Sequence, residues 1–212
     1  MIEKIACKLG RNDEQPNIEL AIELCKSEDA IAIREIAGGL KSKDQAVAND
    51  CIKVLYEIGY RSPALIAEYA ADFISLLTSR NNRLVWGGMT ALGTIADLAA
   101  DALYENFKTI KSAYDKGSVI ARDHSISVFA GISRANPEYE KTVFPVIIEH
   151  LKTCRPKEIP QHAERAMKCV NAGNKDAFLE VLNSRKDILT PPQRKRVDKL
   201  ISEAGRICVK QK

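Results

Sequence analysis

The chain has 212 residues, a formal net charge of +4, 45% hydrophobic residues and only 6% aromatic ones. That length suffices for one sizeable core or one continuous stacked array, and few aromatics with abundant Ala, Leu, Ile, Glu and Lys favour helices over sheets. A membrane span is excluded: the longest uncharged run, Leu84 to Ala96, is shorter than the roughly 18–20 residues a bilayer helix needs, and the early charges Glu3, Lys4 and Lys8 do not fit a secretory leader.

In chain order, the first expected element is an amphipathic helix with Ile18, Ala21, Ile22 and Cys25, opened by Pro16 or Asn17. Its partner carries Ile33, Ile36 and Leu40. A helix from Val47 to Ile58 follows, and its pattern returns from Val85, from Ala121 and from Ile159, at spacings of 38, 36 and 38 residues. Cys51 then matches Met89, Ser125 and Ala163; Val54 matches Leu92, Val128 and Ala166. Leu55 matches Gly93, Phe129 and Met167, and Ile58 matches Ala96, Ile132 and Val170. Offsets of 4, 7, 8 and 11 lie on one helical face.

Between these helices lies a second type, marked by Phe73, Phe107, Phe144 and Phe178 with apolar residues one turn on. One buried aromatic per unit suits a stacked array, in which no helix pair shelters its own apolar face. Prolines in Ser62-Pro63, Asn136-Pro137 and Thr190-Pro191-Pro192 are expected at helix starts, and Gly59, Gly117 and Gly173 at junctions with positive φ. A last helix near 192–207 closes the array. From Pro191 to Lys212 there are seven basic and two acidic residues, while the other 190 residues hold 25 basic and 26 acidic ones. The body is thus nearly neutral and the basicity terminal.

Two stretches carry a family resemblance. Val143-Phe144-Pro145-Val146-Ile147-Ile148-Glu149-His150-Leu151 is similar to the first helix of a HEAT repeat, with its internal proline. Val85 to Ala96, above all Met89-Thr90-Ala91-Leu92-Gly93-Thr94-Ile95, is similar to the second. The resemblance spans 14–190 and implies an all-α fold, an α-α superhelix (a right-handed α-solenoid) of about five HEAT-like helix pairs. The whole of 1–212 is then one repeat domain, with 191–212 as a basic capping helix. The pattern departs where the units of Phe73, Phe107 and Phe178 lack the proline, and where the family's arginine near the second-helix start is matched only by Arg122.

Candidate chemistry is sparse. Six cysteines at 7, 25, 51, 154, 169 and 208 form no Cys-x-x-Cys pair and mostly fall on apolar faces, as buried thiols in a reducing cytoplasm would. His150 and Cys154 stand four apart on one helix, a spacing that brings two metal ligands together, and His162 follows a Pro-containing turn. With no second ligand pair at defined spacing, no metal and no cofactor are expected. The resemblance also brings enzymes into view. The His-Glu pairs of the iron-dependent deoxyhypusine hydroxylases are missing, since Ser125, Leu151 and Ala163 follow the histidines. The aromatic, basic groove and Asp of the HEAT-like glycosylases are not matched, Thr90 standing one turn after Trp86. A bilin-lyase-like enzyme stays open as a minor reading.

In the resembled fold the second helices line a concave face. Its non-core positions are Asn49, Lys53 and Tyr56; Trp86, Thr90 and Thr94; Arg122, Asp123 and Ser127; and Gln161, Arg165 and Lys168. Trp and Arg are enriched at binding hot spots, so this face is the candidate site of a non-enzymatic protein-interaction scaffold. Trp86 fits a contact residue and a core residue equally. The alternative is nucleic-acid binding through the basic C-terminus with Arg122, Arg165 and Lys168, against which stands the solvated face of an end helix.

Overall fold

The structure, a computed structural model, describes residues 1–208; Lys210 and Lys212 of the basic terminus lie outside the described residues. Among the described residues there are twelve α-helices, six short 3-10 turns and no strand. The helices are α1 (Gln15–Ser27), α2 (Ala30–Gly39), α3 (Gln45–Arg61), α4 (Ala70–Leu76), α5 (Asn82–Ile95), α6 (Ala100–Glu105), α7 (Phe107–Lys116), α8 (Val119–Ala135), α9 (Pro137–Thr153), α10 (Ile159–Ala166), α11 (Lys175–Ser184) and α12 (Pro191–Gly205). The chain divides into two compact units, with the boundary inside α8 between Val128 and Phe129.

In the first unit α3 packs between α1 and α5, α2 lies on α3, and α4 lies on α5 and reaches α6. Helix starts are set by short polar side chains that satisfy the first free N–H groups. Asp29 accepts from Ile31 and Ala32, Asp44 from Ala46, and Asn81 from Arg83. Asn17 does not cap α1. It is fully buried and accepts from the Ala6 N–H at 2.9 Å while donating to Asp50 at 2.9 Å, and Asp50 accepts from the Cys7 N–H at 2.7 Å. This cluster ties the N-terminal segment to α1 and α3.

In the second unit α9 packs on α10 and α11, and α12 covers both α10 and α11. Asn136 caps α9 through the Glu138 N–H, and the helix runs unbroken across Pro145. Pro63, by contrast, opens only a 3-10 turn, Pro63–Leu65.

The repeated offsets are the core. Cys51, Met89, Ser125 and Ala163 are all fully buried, as are Val54, Leu92, Val128 and Ala166. Three expectations need correction. Phe73, Phe144 and Phe178 are buried, but Phe107 is only half-buried, because it opens α7 and stacks on Tyr104; Leu103 and Ile110 take the anchor positions there. In α1 the face turned inward is Leu20, Ala21 and Leu24, with Ile18, Ile22 and Cys25 half-buried at its margin. Of the glycines, Gly10 alone has positive φ. Gly59 lies within α3, where a Cβ would stand 2.1 Å from Thr94 Oγ1 and 2.9 Å from Ile66 Cδ1. It is there for close helix approach, not for a turn.

Candidate functional site

The expected face divides between the two units. In the first, α3 and α5 bring together Lys53, Tyr56 and Trp86, but Lys53 and Tyr56 are buried and not at the non-core positions expected. Glu57, Tyr60 and Arg83 of the same helices and Glu14 at the start of α1, which the sequence pattern did not single out, join them. Trp86 is half-buried, and its ring lies 6.0 Å from that of Tyr56, which in turn meets Tyr60 edge-on at 6.0 Å. Tyr60 is 55% exposed. Lys53 Nζ sits 4.8 Å from the Tyr56 ring centre and Arg83 lies 5.8 Å from that of Trp86, so two cations flank the aromatic strip.

Ion pairs lock these cations. Lys53 Nζ reaches Glu14 at 3.0 Å and Glu57 at 2.9 Å; Arg83 donates to the other Glu14 oxygen at 2.6 Å; Arg61 pairs with Glu57. Burial would lower the Lys53 ammonium, yet the hydrogen bonds it donates to Glu57 and Glu14 outweigh it and hold the group above the usual lysine range. Burial pushes the Glu57 carboxyl up, but hydrogen bonds from Lys53 and Arg61 bring it below the usual carboxylate value. Burial also raises the Tyr56 hydroxyl. The ensemble is a strip of rings framed by three cations and two carboxylates.

The remaining candidates stand apart from this strip. Asn49 accepts from the Asn81 amide at 2.9 Å. Thr90 is buried, its hydroxyl turned back onto the Trp86 carbonyl at 2.8 Å, so it supports the tryptophan from within α5. Thr94 is half-buried and donates to the Ala91 carbonyl, and Ser127 is half-buried. Arg122 is exposed but donates to the Tyr114 and Asp115 carbonyls at 3.3 and 3.0 Å, satisfying the end of α7. Asp123 is half-buried on α8. In the second unit, Arg165 is half-buried on α10, Gln161 is exposed, and Lys168 is exposed on the turn after α10.

The basic end helix is largely engaged. Arg196 binds Glu164 through two hydrogen bonds of 2.9 and 2.7 Å, Arg194 approaches Asp187 at 3.5 Å, and Lys199 approaches Glu203 at 3.8 Å. A groove of about 620 Å³ in the first unit, with Arg80, Lys108 and Lys116 at its walls, left no periodic trace in the sequence.

The second unit also brings three titratable side chains together. His150 on α9, Cys154 at its C-terminal cap and His162 on α10 each offer a ligand atom within 4.8 Å of the others, and all are buried. His150 Nε2 and His162 Nδ1 are 2.7 Å apart. Burial pushes the Cys154 thiol up to about 11, against the lowering influence of Arg185. Cys51 and Cys169 are pushed by burial to about 12, as inert core thiols are. All six cysteines are free, and Cys208 is exposed.

No family model matches the chain, and no curated protein matches it in sequence. Among solved structures it is similar to a designed armadillo repeat protein in complex with the peptide (KR)4, at 15% identity and a TM-score of 0.71, covering 96% of this chain and 98% of that one. A second designed armadillo repeat protein matches at 13% identity and 0.68, over 96% and 99%. An engineered protein matches at 18% identity and 0.64, over 96% of each chain. The fold is therefore an all-α repeat solenoid of armadillo type. No helix among the described residues is long and apolar enough to cross a membrane.

Proposed function

We propose that this chain is a non-enzymatic interaction scaffold that binds a segment of a partner protein on the side of α3 and α5 that carries Trp86, working in the reducing cytoplasm. The observation that carries the reading is the aromatic strip of Tyr60, Tyr56 and Trp86, set between paired cations and carboxylates. A half-buried tryptophan, joined through the buried Tyr56 ring to the exposed Tyr60, offers apolar area and polar edges at once, as binding hot spots do. The fold supports it further, since a designed protein of this fold holds the peptide (KR)4. Residues 14–190 are read as HEAT-like repeats and 191–212 as the basic cap of a single domain.

Nucleic-acid binding is the weaker reading, because Arg122, Arg194 and Arg196 already serve helix ends and carboxylates. A shift with DNA or RNA that fades steeply with salt would restore it.

Trp86 is the chain's one tryptophan, so its fluorescence reports this face directly. Titration with (KR)4, with an acidic octapeptide and with an apolar one should give a saturable change for one class. Calorimetry should show Trp86→Ala weakening that binding at least about tenfold, roughly 1.4 kcal/mol, with the fold retained. No saturable change with any class, together with identical partner capture by wild type and Trp86→Ala, would remove the reading. Destabilisation of Trp86→Ala by more than about 3 kcal/mol would place the ring in the core instead.

A further inference from the structure

From the placement of His150, Cys154 and His162 we infer that the α9–α10 hairpin is a binding site for one thiophilic borderline divalent cation, zinc by its donor set. The sequence places His150 and Cys154 four apart on one helix, with His162 after a Pro-containing turn. The fold brings His162 in from the next helix across the Pro156–Glu158 turn, and draws one donor atom from each residue to within 4.8 Å of the others.

Three features favour a metal centre over a chance cluster. The first is burial: His150 is 6% exposed, His162 1% and Cys154 9%. Imidazoles and a thiol taken this far from water normally pack against apolar neighbours or answer a partner, and here they converge on one another. The second is distance. Zinc lies about 2.0–2.1 Å from nitrogen and about 2.3 Å from sulfur, so its ligand atoms stand about 3.3–3.8 Å apart. The 2.7 Å between His150 Nε2 and His162 Nδ1 needs to open slightly, and the wider separations to close by about 1 Å, which side-chain rotation supplies. The third is support. His150 and His162 project from helices, and Arg185 holds the end of α9 by donating to the Leu151 and Cys154 carbonyls at 3.0 and 2.8 Å.

On binding, the Cys154 thiol proton leaves to solvent, and the proton between the two imidazoles moves to the other nitrogen of its ring. Two nitrogens and one thiolate then hold the ion, with water in the fourth position. Nitrogen with thiolate sulfur excludes magnesium and calcium, which take oxygen. The ion would clamp the end of α9 to α10, a structural task separate from the aromatic face of the first unit.

Cobalt(II) tests this on the full chain. One equivalent should give a sulfur-to-cobalt charge-transfer band, lost on adding one equivalent of zinc and unaffected by magnesium. Cys154→Ser should abolish the band, His162→Asn should weaken zinc binding at least about tenfold, and Cys25→Ser should change neither. Should Cys154→Ser fail to fold, imidazole nitrogen resonances of the wild type decide. Of the three histidines, His150 and His162 shift with zinc and His124 does not. Absence of the band, its survival in a folded Cys154→Ser, or zinc shifts that leave His150 and His162 in place would overturn the site.

Discussion

Glu57 illustrates how much one side chain of the aromatic face contributes. It is held between Lys53, at 2.9 Å, and Arg61, each one turn away on α3. Because these hydrogen bonds hold its carboxyl below the usual value in the folded chain, it stabilises the fold fully above the unfolded carboxylate range, near about 4.3. That contribution fades as pH falls through the folded value. Glu57→Gln should therefore be less stable than wild type at pH 7 by about 1–2 kcal/mol, the scale of hydrogen bonds to charged groups. The gap should narrow in urea unfolding near pH 3. A gap of equal size at both pH values would mean that the ion pairs contribute nothing and that only the shape of the side chain matters. Pairings of this kind were not legible in the sequence. Lys53 and Glu57 stand four apart and are readable as a helical pair, but Glu14 reaches Lys53 and Arg83 from far along the chain. Only the packing of α1 beside α3 and α3 beside α5 makes that contact.

At the scale of elements, the sequence was most informative where burial repeats. The positions from Cys51 and from Val54 onward are buried in all four helices because a 3.6-residue period with a fixed unit length leaves the same face inward each time. It was least informative where backbone chemistry decides. The caps at Asp29, Asp44 and Asn81 are common residue types in a charged chain, and Gly59 looks like punctuation until Thr94 is seen against it. His162 was visible beside His150 and Cys154 in the sequence, but its contact with His150 was not, since that depends on the turn between their helices. The basic run of α12 shows the same split between charge and burial. Its inner face, Val197, Leu200 and Ala204, is buried against α10 and α11, while Arg196 and Glu164 pair at the exposed surface. Leu200→Ala should cost about 2–4 kcal/mol in chemical denaturation. Arg196→Gln should cost less than about 1 kcal/mol, as exposed pairs do. If the arginine proved as costly as the leucine, α12 would be fastened by charge, and its basic face would be structural and not free for an acidic partner.

At the scale of the whole molecule, we propose that the two compact units fold as one domain. In stacked repeats, stability is close to a sum of terms within units and between nearest neighbours, so cooperativity depends on how strongly neighbours are coupled. The boundary falls in the middle of α8, a helix of 17 residues whose buried positions Val128 and Phe129 straddle it. Unfolding either unit alone would end that helix at its centre and interrupt its hydrogen-bond ladder, which favours concerted loss of both. The residues provide a reporter for each unit. Trp86 is the chain's one tryptophan and belongs to the first unit; the buried thiols of Cys154 and Cys169 belong to the second. In a urea series, Trp86 fluorescence and the alkylation of Cys154 and Cys169 should change at the same midpoint with the same slope, as one two-state transition requires. Alkylation that runs ahead of the fluorescence change would make the second unit a separate, weaker folding body. Zinc should then move the Cys169 alkylation midpoint upward and leave the Trp86 midpoint where it was, whereas in a concerted domain it raises both together, because a ligand held by one part stabilises everything that unfolds with it.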